Sequence, residues 1–349
     1  MNRNRREDDE ERGCLGEPGR AAWGCAQTFV ALYGFAASMY LLARITIGET
    51  SSIVAYFNNA LPWMAVLALV LAILALLSRW RGLLISLQLP VIFAALLIYN
   101  PVLLPADPPA AGTGPQIRVA SYNILSGQSD ADEIAQVIAD IDADVIALHE
   151  LGPDHTGVIE QQLATLYPYS ALHPTEPEHR GVGLFSRYPI EEESAFTIGE
   201  NSFVYLRAVL DVNGTPVTVF AAHPVPAKNR TNPLTYDDTD NTAELQTLRS
   251  MYLAETNGPL LMLCDCNITD QSDAYRALRD MLHDSFWEVG RGLGFTFQSR
   301  LPFPFLRLDY VWHNDAFKTL DFTVWDDAGT SDHRPVIAQL ELVGEEAAP

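Results

Sequence analysis

Three long apolar stretches occupy the first third of the chain, and they constrain its fold more than any other feature. They run near Ala22 to Ala43, Ala60 to Ser78 and Leu83 to Leu104. Each has the roughly 20 residues that a helix needs to cross about 30 Å of bilayer hydrocarbon, and the second contains no charged residue. The sequence therefore predicts a three-helix transmembrane anchor over residues 22–104, after an N-terminal tail of residues 1–21.

The first stretch has a second interpretation, a cleaved signal peptide, but its length and the two stretches behind it favour an uncleaved anchor. Cytoplasmic loops collect Lys and Arg, and this bias sets the orientation. Five arginines precede the first stretch, and Arg79 and Arg81 lie between the second and the third. We expect a multi-pass protein of the inner (plasma) membrane with a cytoplasmic N-terminus. Three crossings would place everything after Leu104 in the periplasm or outside the cell.

The rest of the chain has the composition of an acidic soluble domain. Residues 1–104 hold seven of the 44 acidic and eight of the 22 basic residues, which leaves 37 acidic and 14 basic residues for 105–349. Nucleic-acid binding needs Lys and Arg that neutralise backbone phosphates, so a nucleic-acid partner is disfavoured. Solubility is the simplest explanation of the acidity. A Pro- and Gly-rich linker, residues 105–115, precedes this domain, and a short tail, residues 344–349, follows it.

Residues 116–343 alternate strand-like apolar runs with helices. Residues 116–124 alternate in polarity, whereas residues 131–143 place apolar side chains at helical spacing. Asn213-Gly214 lies between two long apolar runs, which is typical of a β-hairpin turn. Because hairpins and helical connections both occur, we expect an α/β fold in which two packed sheets are covered by helices.

Short polar motifs end several of these apolar runs. They are Ser121-Tyr122-Asn123, His149-Glu150, Ala222-His223, Cys264-Asp265-Cys266-Asn267, Leu308-Asp309-Tyr310 and Ser331-Asp332-His333. Strands that end in this way can deliver their side chains to one rim. Carboxylates, carboxamides and imidazoles together are what a divalent-metal site that cleaves phosphate esters requires.

In this order and spacing, the motifs resemble the endonuclease/exonuclease/phosphatase superfamily, whose fold is DNase I-like. The resemblance covers about residues 116–343, and the run Ser-Asp-His-Arg-Pro-Val that begins at Ser331 is especially characteristic. It implies a four-layer α-β-β-α sandwich, here preceded by three transmembrane helices. The apolar N-terminal part is similar to that of a bacterial membrane-anchored subgroup.

The resemblance also implies a metal site. Glu150, Asn123 and Asp332 are expected at Mg²⁺ or Mn²⁺, with Asn123 either ligating the ion directly or lying behind its ligands. A hard oxygen ligand such as Glu150 suits Mg²⁺, which takes one or two carboxylates and keeps several waters.

The remaining motif residues receive catalytic roles by the same resemblance. Residues two apart on a strand share a face, so Asp265 is expected to take a proton from the attacking water while Asn267 holds that water or a phosphate oxygen. His333 is expected to contact the phosphate and to be held by Asp309. His223 is expected to neutralise the phosphate or protonate the leaving oxygen.

Cys264 and Cys266 flank Asp265, where the family pattern usually has Gly before the Asp and a bulky apolar residue after it. On a regular strand they would be badly placed for a mutual disulfide. A Cys-x-Cys metal pair is one interpretation, and small core residues are the favoured one.

The sequence thus predicts a membrane-anchored, divalent-metal-dependent phosphatase or phosphodiesterase that acts outside the cytoplasm. An aromatic segment, residues 286–305, precedes Asp309 and either packs in the core or forms an apolar rim that meets membrane lipids. Membrane tethering and acidity favour a lipid-linked phosphate or diphosphate, and undecaprenyl pyrophosphate is one candidate by resemblance. An extracytoplasmic nuclease and a non-enzymatic membrane interaction protein are the alternatives.

Overall fold

The protein is represented by a computed structural model that describes residues 17–105, 107–176, 179–199, 201–227, 236–255 and 258–343. The chain divides into two compact units, Met1–Ile98 and Tyr99–Pro349.

The first unit is helical. Its helices are α1 (Glu17–Thr46), α2 (Ser52–Asn58), α3 (Leu61–Ala75), α4 (Arg81–Ser86) and the greater part of α5 (Leu89–Leu103). Within the described residues, two segments are long and apolar enough to cross a membrane, Ala21–Thr46 and Arg81–Leu103. Helices α2 and α3 would supply a third span only as a pair bent by 71°.

The stretch from Ala60 to Ser78, the most apolar by sequence, does not form one long helix. Helix α3 has 15 residues, which corresponds to about 22 Å at roughly 1.5 Å per residue and is shorter than the hydrocarbon core. After Ala75 the backbone continues in tighter turns, in which Leu76 N–H donates to the Ile73 carbonyl and Ser78 N–H to the Ala75 carbonyl. Three crossings therefore depend on whether α2 and α3 cross the membrane together.

Polar side chains connect α1 to the bent helix pair. The Tyr40 hydroxyl and Arg44 Nη1 both donate to Asn58 Oδ1, at 2.8 and 2.9 Å. Asn58 Nδ2 in turn donates to Glu49 Oε1 at 2.6 Å. A buried polar group costs free energy unless it is paired, so this network stabilises the packing of α1 against α2.

The second unit contains two six-stranded sheets with helices between their strands. The strands are β1 (Gln116–Asn123), β2 (Val145–Leu151), β3 (Tyr169–His173), β4 (Gly181–Ser186), β5 (Ile190–Phe196), β6 (Tyr205–Val212), β7 (Thr215–Ala222), β8 (Leu260–Asp265), β9 (His283–Asp284), β10 (Asp309–His313), β11 (Phe317–Val324) and β12 (Val336–Leu342). The helices are α6 (Ala131–Ile141), α7 (Pro153–Leu163), α8 (Thr239–Ala254), α9 (Asp273–Arg279) and α10 (Ser285–Val289). The strand orders are β11-β12-β1-β2-β4-β3 and β5-β6-β7-β8-β10-β9.

Each sheet has its own helical cover. Ile138 of α6 and Ile159 of α7 are buried with Ile146 of β2 in one core cluster. Leu248 of α8 is buried with Phe220 of β7 in a second cluster. Strands β1 and β2 also contact β8 and β7 across the space between the sheets. This is the α/β arrangement of two packed sheets that the sequence predicts.

The strand directions bring the polar motifs to one edge. Strand β1 runs parallel to β2, and β7 runs parallel to β8, so Asn123 and Glu150 meet at one strand end, and His223 and Asp265 meet at another. Strand β10 is antiparallel to β8 and places Asp309 directly opposite Asp265. Strand β12 is antiparallel to β1, so the segment that precedes β12 reaches the same edge.

Gly181, the first residue of β4, allows this strand to approach its neighbours β2 and β3. A Cβ there would lie 2.3 Å from the Leu151 carbonyl oxygen and 2.5 Å from that of His173. We expect Gly181→Ala to lower the free energy of unfolding by about 1–3 kcal/mol, the usual cost of overpacking.

Gly157→Ala in α7 is the matched control, because nothing lies within 4 Å of its Cβ position and Ala is favoured over Gly in a helix by about 0.5–1 kcal/mol. Thermal unfolding of the full chain should show a lower midpoint for the first variant and an equal or higher one for the second. Equal midpoints for Gly181→Ala and the wild type would contradict the packing described.

Candidate active site

Asn123 links carboxylates from the two sheets. Its Nδ2 donates to Glu150 Oε1 and to Asp265 Oδ2, both at 2.9 Å, while its Oδ1 accepts from the N–H of Leu125 at 3.0 Å. The carboxamide is thus oriented by the backbone and donates to both acids.

Glu150, the next-to-last residue of β2, has an unusual backbone conformation. Its φ is +58°, and the pairing of β2 with β4 shifts between His149 and Leu151. A left-handed residue other than Gly costs of order 1–3 kcal/mol, and such residues concentrate at functional sites. Burial raises the pKa of Glu150, and the nearby carboxylates of Asp332 and Asp309 add to the rise. The irregularity brings a carboxylate to the rim where other acids already lie.

His333 lies between two buried aspartates. Its Nδ1 is 2.8 Å from Asp309 Oδ2 and 3.7 Å from Asp265 Oδ2. Burial opposes a charge on the imidazole, but the attraction of both carboxylates outweighs it and raises the pKa of His333 to about 10. His333 is therefore an imidazolium at neutral pH, and its charge offsets the repulsion between two carboxylates that face each other across β8 and β10.

Asp265, like Asp309, has no exposed surface. Burial raises its pKa to about 7; Asp309 and Glu150 add to the rise, while His333 and Asn123 oppose it. A carboxylate that titrates near neutrality is matched to accepting a proton from water.

Two other imidazoles near the rim are neutral. Burial lowers the pKa of His223 well below its ordinary value and lowers that of His149 to about 4. His223 Nε2 lies 3.3 Å from Asp265 Oδ2; because the ring is neutral, this is a polar contact and not an ion pair. His149 Nε2 lies 3.0 Å from Ser121 Oγ, and its ring meets that of His223 edge-on.

Asn267 does not share a strand face with Asp265, contrary to the prediction. Strand β8 ends at Asp265, and Asn267 has a φ of +51°. Its N–H donates to Asp265 Oδ1 at 3.2 Å, and its Nδ2 donates to the Pro224 carbonyl at 2.9 Å. This turn, in which a side-chain carboxylate accepts from the backbone two residues on, keeps Asn267 beside Asp265 without a strand.

Cys264 and Cys266 are joined by a disulfide, so the prediction that they are unpaired core residues is wrong. Residues two apart on a regular strand are separated by about 6.6–6.8 Å, but these Cα atoms are 5.2 Å apart. The chain turns immediately after Asp265, which brings the two side chains together. Both are fully buried, and the disulfide closes the turn on which Asp265 lies.

The acidic rim fits a divalent cation. Within the described residues, Asp309 Oδ1 and Asp332 Oδ1 are buried and have no hydrogen-bond partner, which is costly unless a cation or donor satisfies them. Carboxylate oxygens are the donors that Mg²⁺ and Mn²⁺ prefer. With Glu150 close by, these atoms form a suitable donor set.

The tightest group of possible ligand atoms differs from the set named by sequence. In the part of the chain that the structure describes, Asp265, Asp309 and His333 have such atoms within 4.8 Å of one another, whereas the sequence names Glu150, Asn123 and Asp332. His333 Nδ1 is already engaged by Asp309, so we regard the oxygens as the suitable donors. The two sets adjoin each other at the same rim.

Helix α8 holds the loops that carry the site, and sequence reasoning missed this. Glu244 Oε2 accepts from the Tyr205 hydroxyl at 2.8 Å and the Val225 N–H at 2.7 Å. Asn241 Nδ2 donates to the carbonyls of Val225 at 2.8 Å and Cys266 at 3.1 Å. The sequence did contain a signal for this role: Asn241 and Glu244 are polar residues three apart on a helix face whose other residues are apolar.

Aromatic rings cover the imidazoles at the rim. The Phe203 ring centroid is 3.9 Å from that of His223, and the Arg180 guanidinium carbon lies 5.6 Å from the Phe203 centroid. The Phe297 ring is 4.9 Å from that of His333. Phe203 belongs to no motif, so the sequence held no signal for its position.

Comparison with known proteins identifies the family of the chain. Residues 120–333 match the Endonuclease/Exonuclease/phosphatase family, which confirms the resemblance indicated by the motifs. No curated protein sequence matches the chain.

Several solved structures share the fold. The endonuclease/exonuclease/phosphatase from Bacteroides vulgatus has a TM-score of 0.53 and 18% identity, with 66% of this chain and 100% of that chain covered. Truncated Caenorhabditis elegans TDP2 gives 0.53 and 15%, with 65% and 97% covered. The mannosyl-6-phosphatase Bt3783 from Bacteroides thetaiotaomicron gives 0.52 and 17%, with 64% and 99% covered. At these identities the likeness concerns the fold.

The pair of His333 and Asp309 predicts a pH dependence of stability. Because the pKa of His333 is raised from 6.5 to about 10, its contribution is fully present below the unfolded-state value and is lost as the pH rises through the folded-state value. Asp309→Asn should lower this pKa and move the alkaline loss of stability to lower pH.

Unfolding midpoints measured from about pH 6 to about pH 11 would show the shift. Asp321→Asn, at an exposed position of β11, is the control and should retain the wild-type profile. If Asp309→Asn also retained that profile, the ion pair would not be as described.

Proposed function

Because the chain belongs to the endonuclease/exonuclease/phosphatase family, we propose that it is a divalent-metal-dependent phosphatase or phosphodiesterase with residues 116–343 as its catalytic domain. The observation that carries this proposal is the buried acidic rim, where strands of both sheets bring Glu150, Asp265 and Asp309 together around one imidazolium. A site of this composition suits the stabilisation of charge on a phosphoryl group.

Of the oxygens at the rim, we assign Mg²⁺ or Mn²⁺ to those of Glu150 and Asp332, with Asn123 behind them, while Asp309 holds His333. The ion would supply Lewis-acid stabilisation of phosphoryl oxygens. Asn123 orients Glu150 and Asp265 through its two donated hydrogen bonds, so it positions the acids of both sheets.

The proposed reaction is in-line attack of water on phosphorus, in which the new bond to the water oxygen forms as the bond to the leaving oxygen breaks, without a covalent intermediate. Asp265 takes the proton from the water, and Asn267, held beside it, orients that water or a phosphate oxygen. His333 presents a positive charge to the phosphate, with Asp309 keeping it protonated and oriented. His223 contributes a neutral N–H toward a phosphate oxygen.

Replacing the proposed base tests this mechanism. Asp265→Asn keeps the shape of the side chain but cannot accept the proton, so we expect metal-dependent turnover to fall about 10²- to 10⁴-fold. Release of phosphate or alcohol would be measured on lipid-linked diphosphates, soluble phosphate mono- and diesters, and plasmid DNA, with and without EDTA.

Glu160→Gln, which changes an exposed acid of α7, should keep wild-type activity in the same assays. Turnover that survives EDTA or Asp265→Asn would overturn the mechanism. Metal-dependent nicking of DNA, without turnover of the other substrates, would instead identify a nuclease.

We further propose a place for the enzyme: residues 22–104 as a membrane anchor with three spans, residues 105–115 as the linker, and the catalytic domain outside the cytoplasm. Two apolar helices and a bent pair support the anchor, and the arginines before the first span and between the last two support the orientation. The Cys264–Cys266 disulfide also favours an oxidising compartment, because disulfides are rare in the cytosol. A lipid-linked phosphate or diphosphate is then the substrate class that suits an acidic enzyme tethered to a bilayer.

Thiol labelling of intact cells tests the orientation. In a chain with Cys14 and Cys25 replaced by Ser, Asp321→Cys should react with a membrane-impermeant maleimide added outside the inner membrane. Arg79→Cys should react only after the membrane is permeabilised. The reverse pattern would place the catalytic domain in the cytoplasm.

A further inference from the structure

A groove of about 470 Å³ with one aromatic wall lies in the second unit, and one of its lining residues, Arg334, directly follows His333. Its apolar wall is formed by Phe286, Val289, Leu293, Phe295, Phe303 and Phe322. The volume is within the range of about 300–1,000 Å³ that small-molecule sites occupy. The reaction proposed above makes no use of it.

The charges around the groove balance. Arg291 and Arg334 lie along it together with Asp321 and Asp326, and Arg334 Nη1 is 3.2 Å from Asp326 Oδ1. Because these charges cancel, they give no preference for an ionic occupant, and the aromatic wall suits an apolar one.

Aromatic side chains connect the groove with His333. Phe297 lies 4.9 Å from the imidazole and 6.1 Å from the Phe305 ring, measured between centroids. Phe305 is two residues from Phe303, which forms the groove wall. A backbone hydrogen bond also joins the two segments, since the N–H of Arg334 donates to the Thr296 carbonyl at 2.9 Å.

The loop between the bridged residues Phe297 and Leu306 also presents apolar side chains to solvent. Phe303 is 63% exposed and Leu301 is 48% exposed. Large apolar groups exposed together on an acidic domain mark a surface that meets an apolar partner. The loop therefore extends the apolar surface of the groove outward.

We infer that this groove and loop take the hydrocarbon chain of a phosphate-bearing lipid whose phosphate lies at His333. The inference rests on the proposed function and names the part of the substrate that the rim does not contact. The protein's apolar helices are long enough to span a bilayer. An anchor of this kind would hold the domain at a membrane, where lipids with such hydrocarbon chains are present.

A homologous series of water-soluble alkyl phosphates, from ethyl to octyl, tests the inference by calorimetry on the full chain in nanodiscs, with empty nanodiscs as the blank. Burial of each methylene should tighten binding up to about threefold to fourfold over part of the series. Phe303→Asp, at an exposed position, should at least halve this dependence on a logarithmic scale. Phe295→Ser should act in the same direction, with its unfolding midpoint checking that it folds.

Leu253→Asp is the matched control, since Leu253 is 57% exposed on α8 and does not line the groove. It should retain the wild-type dependence on chain length. Equal dependence in Phe303→Asp, Leu253→Asp and the wild type, or none in the wild type, would overturn the inference.

Phosphate release in the same samples separates this inference from the proposed function. Chain-length-dependent binding without metal-dependent release would leave the groove in place and reject the hydrolytic function. Metal-dependent phosphate release without any dependence of binding on chain length would support the hydrolytic function and reject the groove as a lipid site. If light scattering showed a dimer that Phe303→Asp dissociates while the chain-length dependence stayed unchanged, the groove would be an interface between two copies, which also overturns the inference.

Discussion

The site depends on how like charges from two sheets are held at one rim. Asp265 and Asp309 lie directly opposite each other on β8 and β10, an arrangement that is unfavourable for two buried carboxylates. The His333 imidazolium between them and the Asn123 carboxamide beside them supply the compensating charge and hydrogen bonds. His333 arrives from the segment before β12 and Asn123 from the end of β1, so the pairing of these two strands is what allows the acids to coexist.

Much of this arrangement could be predicted from sequence. Each motif ends or precedes an apolar run, and parallel strands bring their carboxyl ends to a common edge, so the gathering of Asn123, Glu150 and Asp265 follows from strand direction. The hairpin at Asn213-Gly214 was also predictable, because Asn and Gly are the residue types that tolerate the positive φ of a two-residue turn. Both residues have positive φ in the structure. The contact of His333 with Asp309 was expected only from the family resemblance, since nothing in their spacing joins them.

Other features depend on tertiary structure that no local pattern carries. The turn after Asp265 removes Asn267 from the strand and brings Cys264 to Cys266. Strand β5 does not alternate between apolar and polar residues, because it is an edge strand whose glutamates are exposed to solvent. Composition likewise favours one continuous span from Ala60 to Ser78, yet helix α3 ends at Ala75, because apolar character does not determine where backbone turns tighten.

The central claim is that the acidic rim binds a divalent cation as part of a phosphate-cleaving site. Calorimetric titration of Mn²⁺ into the full chain, compared with Glu150→Gln, tests this most directly, since the substitution removes one charged oxygen donor with little change of volume. We expect one ion to bind per chain in the wild type, with at least tenfold weaker binding in the variant, or roughly 1.4 kcal/mol. Absence of binding, or equal affinity in both proteins, would contradict the account.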